Sequence, residues 1–323
     1  MSDDNPRALK GPVNLPEHYM EAILAAVQDS RRPTTRKAYA GAWARFKAWA
    51  EAEGLEAQPA DPLTVAAYLT LRAGKGLSVS SLAMDRKAIS YHHRSAGLPS
   101  PTSSEGVRQT LAGLRNRLTD TGRNEPRQAR GLTGERLDRI CETACNPRTG
   151  PTGRRESAEA ARRRGAVDIA LACVMRDGLL RRGEAAELRW KDIELRRDGS
   201  GRIIVRHSKT SSASAILFIG DQAAEALRNL RGAETSPEAR VFGLKSGRSI
   251  SNRIAAMARA AGLGEGFTGH SPRVGMAQDL TASGMGLTAI MVAGRWKSER
   301  MPAYYSRGES VGRGAVARYY GGF

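Results

Sequence analysis

The sequence predicts a mainly α protein: an all-helical N-terminal domain, then a second, mostly helical domain holding a small antiparallel three-stranded sheet. Three observations predict it. Apolar residues recur at the spacing of amphipathic helices through most of the chain. Only the stretch between residues 192 and 219 reads as strands broken by a turn. Residues 119–131 carry no apolar face and contain Gly and Pro, which marks a linker between two domains.

The elements follow in order. Residues 1–16 are polar, with Pro and Gly, and read as a flexible arm. The first domain spans 17–118. After a Pro33-Thr34-Thr35 start, Tyr39, Trp43, Phe46 and Ala50 fall on one helical face. Asp61-Pro62 starts a second helix, with Asp as cap and Pro in the first turn, and Val65, Tyr68 and Leu69 form its stripe. Ser78 or Ser80 caps a third, containing Leu82, Met84, Ala88 and Ile89. A fourth carries Val107, Leu111, Leu114 and Leu118 on one side and Arg108, Arg115 and Arg117 on the other. The aromatics of this bundle read as core. Its basic side chains suit phosphate contacts, which fix register without reading sequence.

The second domain spans 132–323. A helix restarts near Thr133, and residues 166–176 are apolar almost all round, so that helix is buried. Residues 146–164 are Arg-rich with Pro and Gly, and read equally as a mobile loop or a DNA-facing insertion. Asp192–Leu195, Arg202–His207 and Ala213–Ile219 are the expected strands, with Asp198-Gly199 in the first turn. Helices return after Asp221 and near Ser249. Ser310 to Tyr320 forms a last short helix with Ala315, Val316 and Tyr319 on one side, an apolar stripe that needs a surface to cover.

Composition narrows the function. The 323 residues hold 51 Lys plus Arg against 33 Asp plus Glu, a formal charge of +18 that suits a polyanion partner. The three cysteines, Cys141, Cys145 and Cys173, are too few and wrongly spaced for a metal site or a disulfide framework. No metal or other cofactor is expected. The chain lacks a signal-peptide core and any run of 18 apolar residues, so a cytoplasmic, nucleoid-associated protein is expected.

A few residues carry chemistry. Arg181 and Arg273 offer permanently charged planar forks that fit phosphate oxygens two at a time and stabilise charge building on a pentacoordinate phosphorane. His270 can donate to a non-bridging oxygen or move a proton to and from a nucleophile. Trp296 can orient an oxygen through its indole N–H but cannot titrate. Lys209, in a hairpin loop, can protonate a departing alkoxide. A phenol can attack phosphorus: Tyr305 is the candidate nucleophile, with Tyr304 its rival.

Four segments then carry a resemblance. Gly178-Leu-Leu-Arg-Arg-Gly-Glu184 with Glu187–Ile193, His207-Ser-Lys-Thr210, Gly269-His-Ser-Pro-Arg-Val-Gly275, and Ala293-Gly-Arg-Trp296 followed nine residues later by Tyr305 are similar, in order and spacing, to the boxes of the tyrosine recombinase (phage integrase) family. Trp296 stands where most members have His. The resemblance covers nearly the whole chain. It implies a core-binding domain followed by a catalytic domain, and Arg181, Lys209, His270, Arg273, Trp296 and Tyr305 as the catalytic set. Spacing within the last box favours Tyr305 over Tyr304, and Glu184 steadies the arginine or its helix. It further implies site-specific cleavage of duplex DNA bearing inverted repeats, through a 3′-phosphotyrosyl bond and a Holliday junction. The enzyme would be a homotetramer linked by the C-terminal helix. A type IB topoisomerase-like enzyme and a non-catalytic DNA-binding protein on the same scaffold are the alternatives.

Overall fold

The computed structural model describes residues 16–122, 128–150, 152–206, 214–232, 236–308 and 319–320. The chain divides into two compact units, Met1–Arg127 and Gln128–Phe323.

The first unit is all helical: α1 (Glu17–Asp29), α2 (Pro33–Ala52), α3 (Pro62–Gly74), α4 (Val79–Ser95) and α5 (Glu105–Asp120). Hydrogen-bonding side chains start three of them. Asp61 accepts from the Leu63 N–H, Ser78 from Ser81 and Ser104 from Val107. The core joins Phe46, Val65, Tyr68, Leu69, Leu82, Ile89, Val107 and Leu114, with Trp43 and Trp49 packed against it. The aromatics are therefore structural: Phe46 and Trp49 both lie 5.1 Å, ring to ring, from Tyr68. Two buried polar groups tie the helices. Asp85 takes Arg45 at 3.3 Å and Arg72 at 3.1 Å. His93 accepts the Ala60 N–H at its Nε2, so its proton sits on Nδ1, which donates to the Ile89 carbonyl. Burial lowers that imidazole's pKa and keeps it a neutral strut. Helix α1 was not singled out by periodicity, and Met20, Ile23 and Val27 on its apolar side are not fully buried.

The second unit has helices α6 (Gly134–Thr143), α7 (Ala158–Asp177), α8 (Arg182–Glu187), α9 (Asp221–Leu230), α10 (Gly247–Ala260), α11 (Ser271–Ala282), α12 (Leu287–Gly294) and α13 (Arg300–Tyr305). The sheet is β1 (Ile193–Leu195), β2 (Gly201–Val205) and β3 (Ala215–Ile219), antiparallel in the order β1-β2-β3. Register pairs Ile193 with Ile203 and Ile203 with Leu217, which turns Ile203, Val205 and Ile219 into the core. The fold is thus mainly α with one small antiparallel sheet among the described residues, as the sequence predicts. The first strand begins at Ile193 rather than Asp192, the second begins one residue earlier than expected, at Gly201, Arg206 and Ser214 lie outside the strands, and residues 207–213 lie outside the described residues.

Helix α7 is the axis of the unit. Ala170, Leu171, Ala172, Cys173, Val174 and Met175 are all buried, because neighbours close on every side of the helix. Within the Arg-rich segment 146–164, a bridge between Thr149 and Arg155 closes the described part of a loop, and from Ala158 on the segment is the first turns of α7. Its anchor is Asp168, fully buried on α7, which takes Arg148 and Arg164 at 3.0 Å each and Arg253 from α10. Arg154, Arg155, Arg162 and Arg163 of the same segment are exposed. No helix among the described residues is long and apolar enough to cross a membrane.

Helix α11, which carries His270 at its start and Arg273 in its first turn, crosses the backbone of Leu132 at very close range. A Cβ at Gly275 would lie 2.0 Å from the Leu132 carbonyl oxygen and 2.6 Å from its nitrogen. The Leu132 N–H donates to the Ser271 carbonyl at 2.8 Å, so the two segments cannot move apart freely. Gly275→Ala is expected to cost about 3 kcal/mol by overpacking. That corresponds to a melting temperature lower by roughly 6–12 °C in a unit of this size. A melting curve within a degree of the wild type would contradict this close approach.

Candidate active site

Arg181 caps the start of α8. Its backbone N–H donates to Glu184 Oε2 at 2.9 Å and its Nη1 to Oε1 at 2.8 Å. Glu184 is buried and also takes Arg295 Nη2 at 2.9 Å. Burial alone would raise this carboxyl's pKa. The Arg181 N–H and the two guanidiniums outweigh it and hold the group below the usual carboxylate range, hence ionised. Glu184 therefore steadies two arginines at once.

Arg273 is 2% exposed. It donates to the carbonyls of Leu179 and Gly294, and its guanidinium lies over the Trp296 ring, 4.0 Å from the centroid. Burial and the neighbouring Arg181 and Arg295 push its pKa down to about 9. Among the described residues no carboxylate lies within ion-pair distance of Arg273, and Glu184 acts on it only from further off.

Trp296 is half-buried, with one face on Arg273 and Tyr305 tilted against it at 5.8 Å and 66°. Its placement depends on the residue before Arg295: a Cβ at Gly294 would lie 1.8 Å from the indole. Tyr305 ends α13, and its carbonyl accepts from Gln128 Nε2 at 3.1 Å. Burial raises the phenol's pKa, Arg273 lowers it, Tyr304 raises it and Arg181 lowers it, with a net rise. Both guanidiniums thus act on the same phenol. Tyr304 turns instead toward Arg307, whose guanidinium lies 5.0 Å above its ring.

His270 is the cap residue of α11 and is reached by solvent. Packing of the imidazole against the protein, then Arg182, Arg273 and Arg181, lower its pKa. It is neutral at neutral pH and able to accept a proton. Of the residues expected from sequence, the structure brings Arg181, Glu184, His270, Arg273, Trp296 and Tyr305 together. Lys209 lies outside the described residues, as does all of the expected C-terminal helix except Tyr319 and Tyr320.

Arg295 was not singled out by sequence. Its φ is +56° and that of Leu179 is +43°, the two non-glycine residues with left-handed backbone among those described. Both conformations serve the arginines. The Leu179 carbonyl accepts from Arg273 and, at 3.3 Å, from Arg295, and the Arg295 carbonyl accepts from Arg181 at 3.3 Å. Such strain concentrates where surrounding structure enforces a functional geometry. A guanidinium placed straight after Gly294 and beside Trp296 was the available signal. Counting Arg181, Arg273 and Arg295 against Glu184 leaves two positive charges in excess at the site. That balance suits a phosphodiester, and suits still better the extra negative charge of a phosphorane.

Comparison with known proteins gives a family match and similar folds. Residues 131–310 match the model of the phage integrase family. The recombinase Cre of Escherichia phage P1 is 24% identical over 302 residues, covering 84% of this chain and 83% of Cre. The fold resembles a Tn1549 transposon integrase in complex with transposon right-end DNA, at TM-score 0.58 and 13% identity over 91% of this chain and 97% of that one. It also resembles a lambda integrase dimer bound to a core site, at TM-score 0.52 and 19% identity over 90% and 75%.

Proposed function

The chain belongs to the phage integrase family, the tyrosine recombinases, and on that premise we propose that it is a site-specific DNA recombinase whose nucleophile is Tyr305. The observation that carries the proposal is the packing of one phenol and one guanidinium on a shared indole, with Arg181 acting on the same phenol.

The scissile phosphate sits on Arg181 and Arg273, which Glu184 and the Leu179 and Gly294 carbonyls hold in place. Neutral His270 accepts the phenol proton. The Tyr305 oxygen bonds to phosphorus and the bond to the 5′-oxygen breaks, leaving a 3′-phosphotyrosyl link. Lys209 supplies the proton to the 5′-oxygen, a role assigned on sequence. Because the phosphotyrosyl bond keeps the energy of the diester, a 5′-hydroxyl from a partner strand reverses the step without ATP. Exchange of one strand pair makes a Holliday junction, and four protomers on inverted repeats complete it. In the first unit, a cleft lined by Arg31, Arg86, Lys87, Arg94 and Arg108, with no acidic residue, suits backbone phosphates of the same duplex.

The test is covalent capture. DNA that copurifies with the protein is sequenced to give the site, and a nick beside the scissile phosphate lets the short 5′-hydroxyl fragment diffuse away. The expected product is a protein–DNA adduct stable to denaturant, whose proteolytic fragment carries the nucleotide on Tyr305. No adduct, or one on Tyr304, overturns the assignment.

A further inference from the structure

Arg182 is the first residue of α8, directly after the cap residue Arg181. Its side chain runs in a slot between two glycines. A Cβ at Gly247 would meet its Cγ at 3.0 Å, and one at Gly269 would meet its Cβ at 2.9 Å. The Nη1 donates to Ser251 Oγ at 3.3 Å. That hydroxyl also accepts from the Gly269 N–H and donates to the Gly247 carbonyl, so it closes the slot. The residue is nonetheless exposed, and no carboxylate pairs with it among the described residues. Arg45, Arg72, Arg148, Arg164, Arg176 and Arg253, by contrast, all have one. The next residue after Gly269 is His270.

We propose that Arg182 is a further substrate-binding arginine, which grips the backbone phosphate next to the one clasped by Arg181 and Arg273, on the His270 side of the site. The proposal rests on the reading that this unit cleaves duplex DNA. A long cation held by packing before the ligand arrives loses little further freedom on binding an anion. A DNA strand presents its diesters as a regular array, so a guanidinium one step beyond the scissile clasp meets the neighbouring charge. The charged groups facing the imidazole are Arg182 from α8, Arg273 from its own helix and Arg181, and Arg182 acts on it most strongly. The same arginine therefore also favours the neutral imidazole until a phosphate neutralises it.

The test measures equilibrium binding of site-bearing duplex against salt in a Tyr305→Phe background, where no covalent bond interferes. Arg182→Met is expected to weaken binding roughly tenfold, the loss of one charge-assisted contact. It should also lower the slope of log affinity against log salt by about 0.9, one phosphate contact. Arg182→Lys should keep the slope. A neutral methylphosphonate at the flanking position should weaken the Arg182 protein and add nothing to Arg182→Met. An unchanged slope with additive methylphosphonate effects overturns the proposal. If Arg182→Met melts early, the Arg182 protein alone decides: indifference to both flanking methylphosphonates overturns it. Failure of covalent capture would instead remove the cleavage reading and leave this binding result standing.

Discussion

Tyr305→Phe is expected to bind DNA with near wild-type affinity and to form no covalent adduct at any pH. The substitution removes one oxygen and leaves the ring against Trp296, so packing and the arginines are untouched. Loss of the attacking atom should lower the cleavage rate roughly 10⁴- to 10⁶-fold, to background. Tyr304→Phe should leave the adduct intact, because that ring faces Arg307 rather than the indole. Burial, countered in part by Arg273 and Arg181, leaves the Tyr305 phenol harder to ionise than usual, so attack needs a base. His270 supplies it only when neutral. Its pKa is lowered, so cleavage should persist down to a pH below the ordinary histidine value of about 6.5 and then fall. Single-turnover rates on the nicked substrate give both answers. Residual adduct in Tyr305→Phe would move the nucleophile elsewhere.

The helices were legible wherever apolar spacing met a local start signal. Asp61-Pro62 and the Val65, Tyr68, Leu69 stripe give α3 directly, and the all-round apolar run gives α7. Helix α1 was not: Tyr19 and Val27 are exposed, and Met20 and Ile23 are only partly covered. The Arg-rich 146–164 segment was undecidable for a different reason. What packs it is Asp168 with Arg253, a pair 85 positions apart that no periodicity reveals. The same division holds at the site. Spaced motifs point to Arg181, Glu184, His270, Arg273, Trp296 and Tyr305. Arg295 and Arg182 escaped, since the first depends on left-handed backbone and the second on two glycines far away in sequence.

Arg273→Lys and Arg273→Ala are expected to lower cleavage by at least roughly 10²–10³-fold each, the usual effect of removing one donor to a developing negative charge. Lysine keeps a charge yet cannot reach the Leu179 and Gly294 carbonyls and the phosphate together, because that task uses the guanidinium fork. Alanine also strands both carbonyls in a buried site, so its melting temperature should fall where that of lysine falls less. Burial and the neighbouring Arg181 and Arg295 disfavour the Arg273 charge in the free protein, and a bound diester offsets both by supplying an anion beside it. If Arg273→Lys cleaves as fast as the wild type, the planar fork is not what the phosphorane requires.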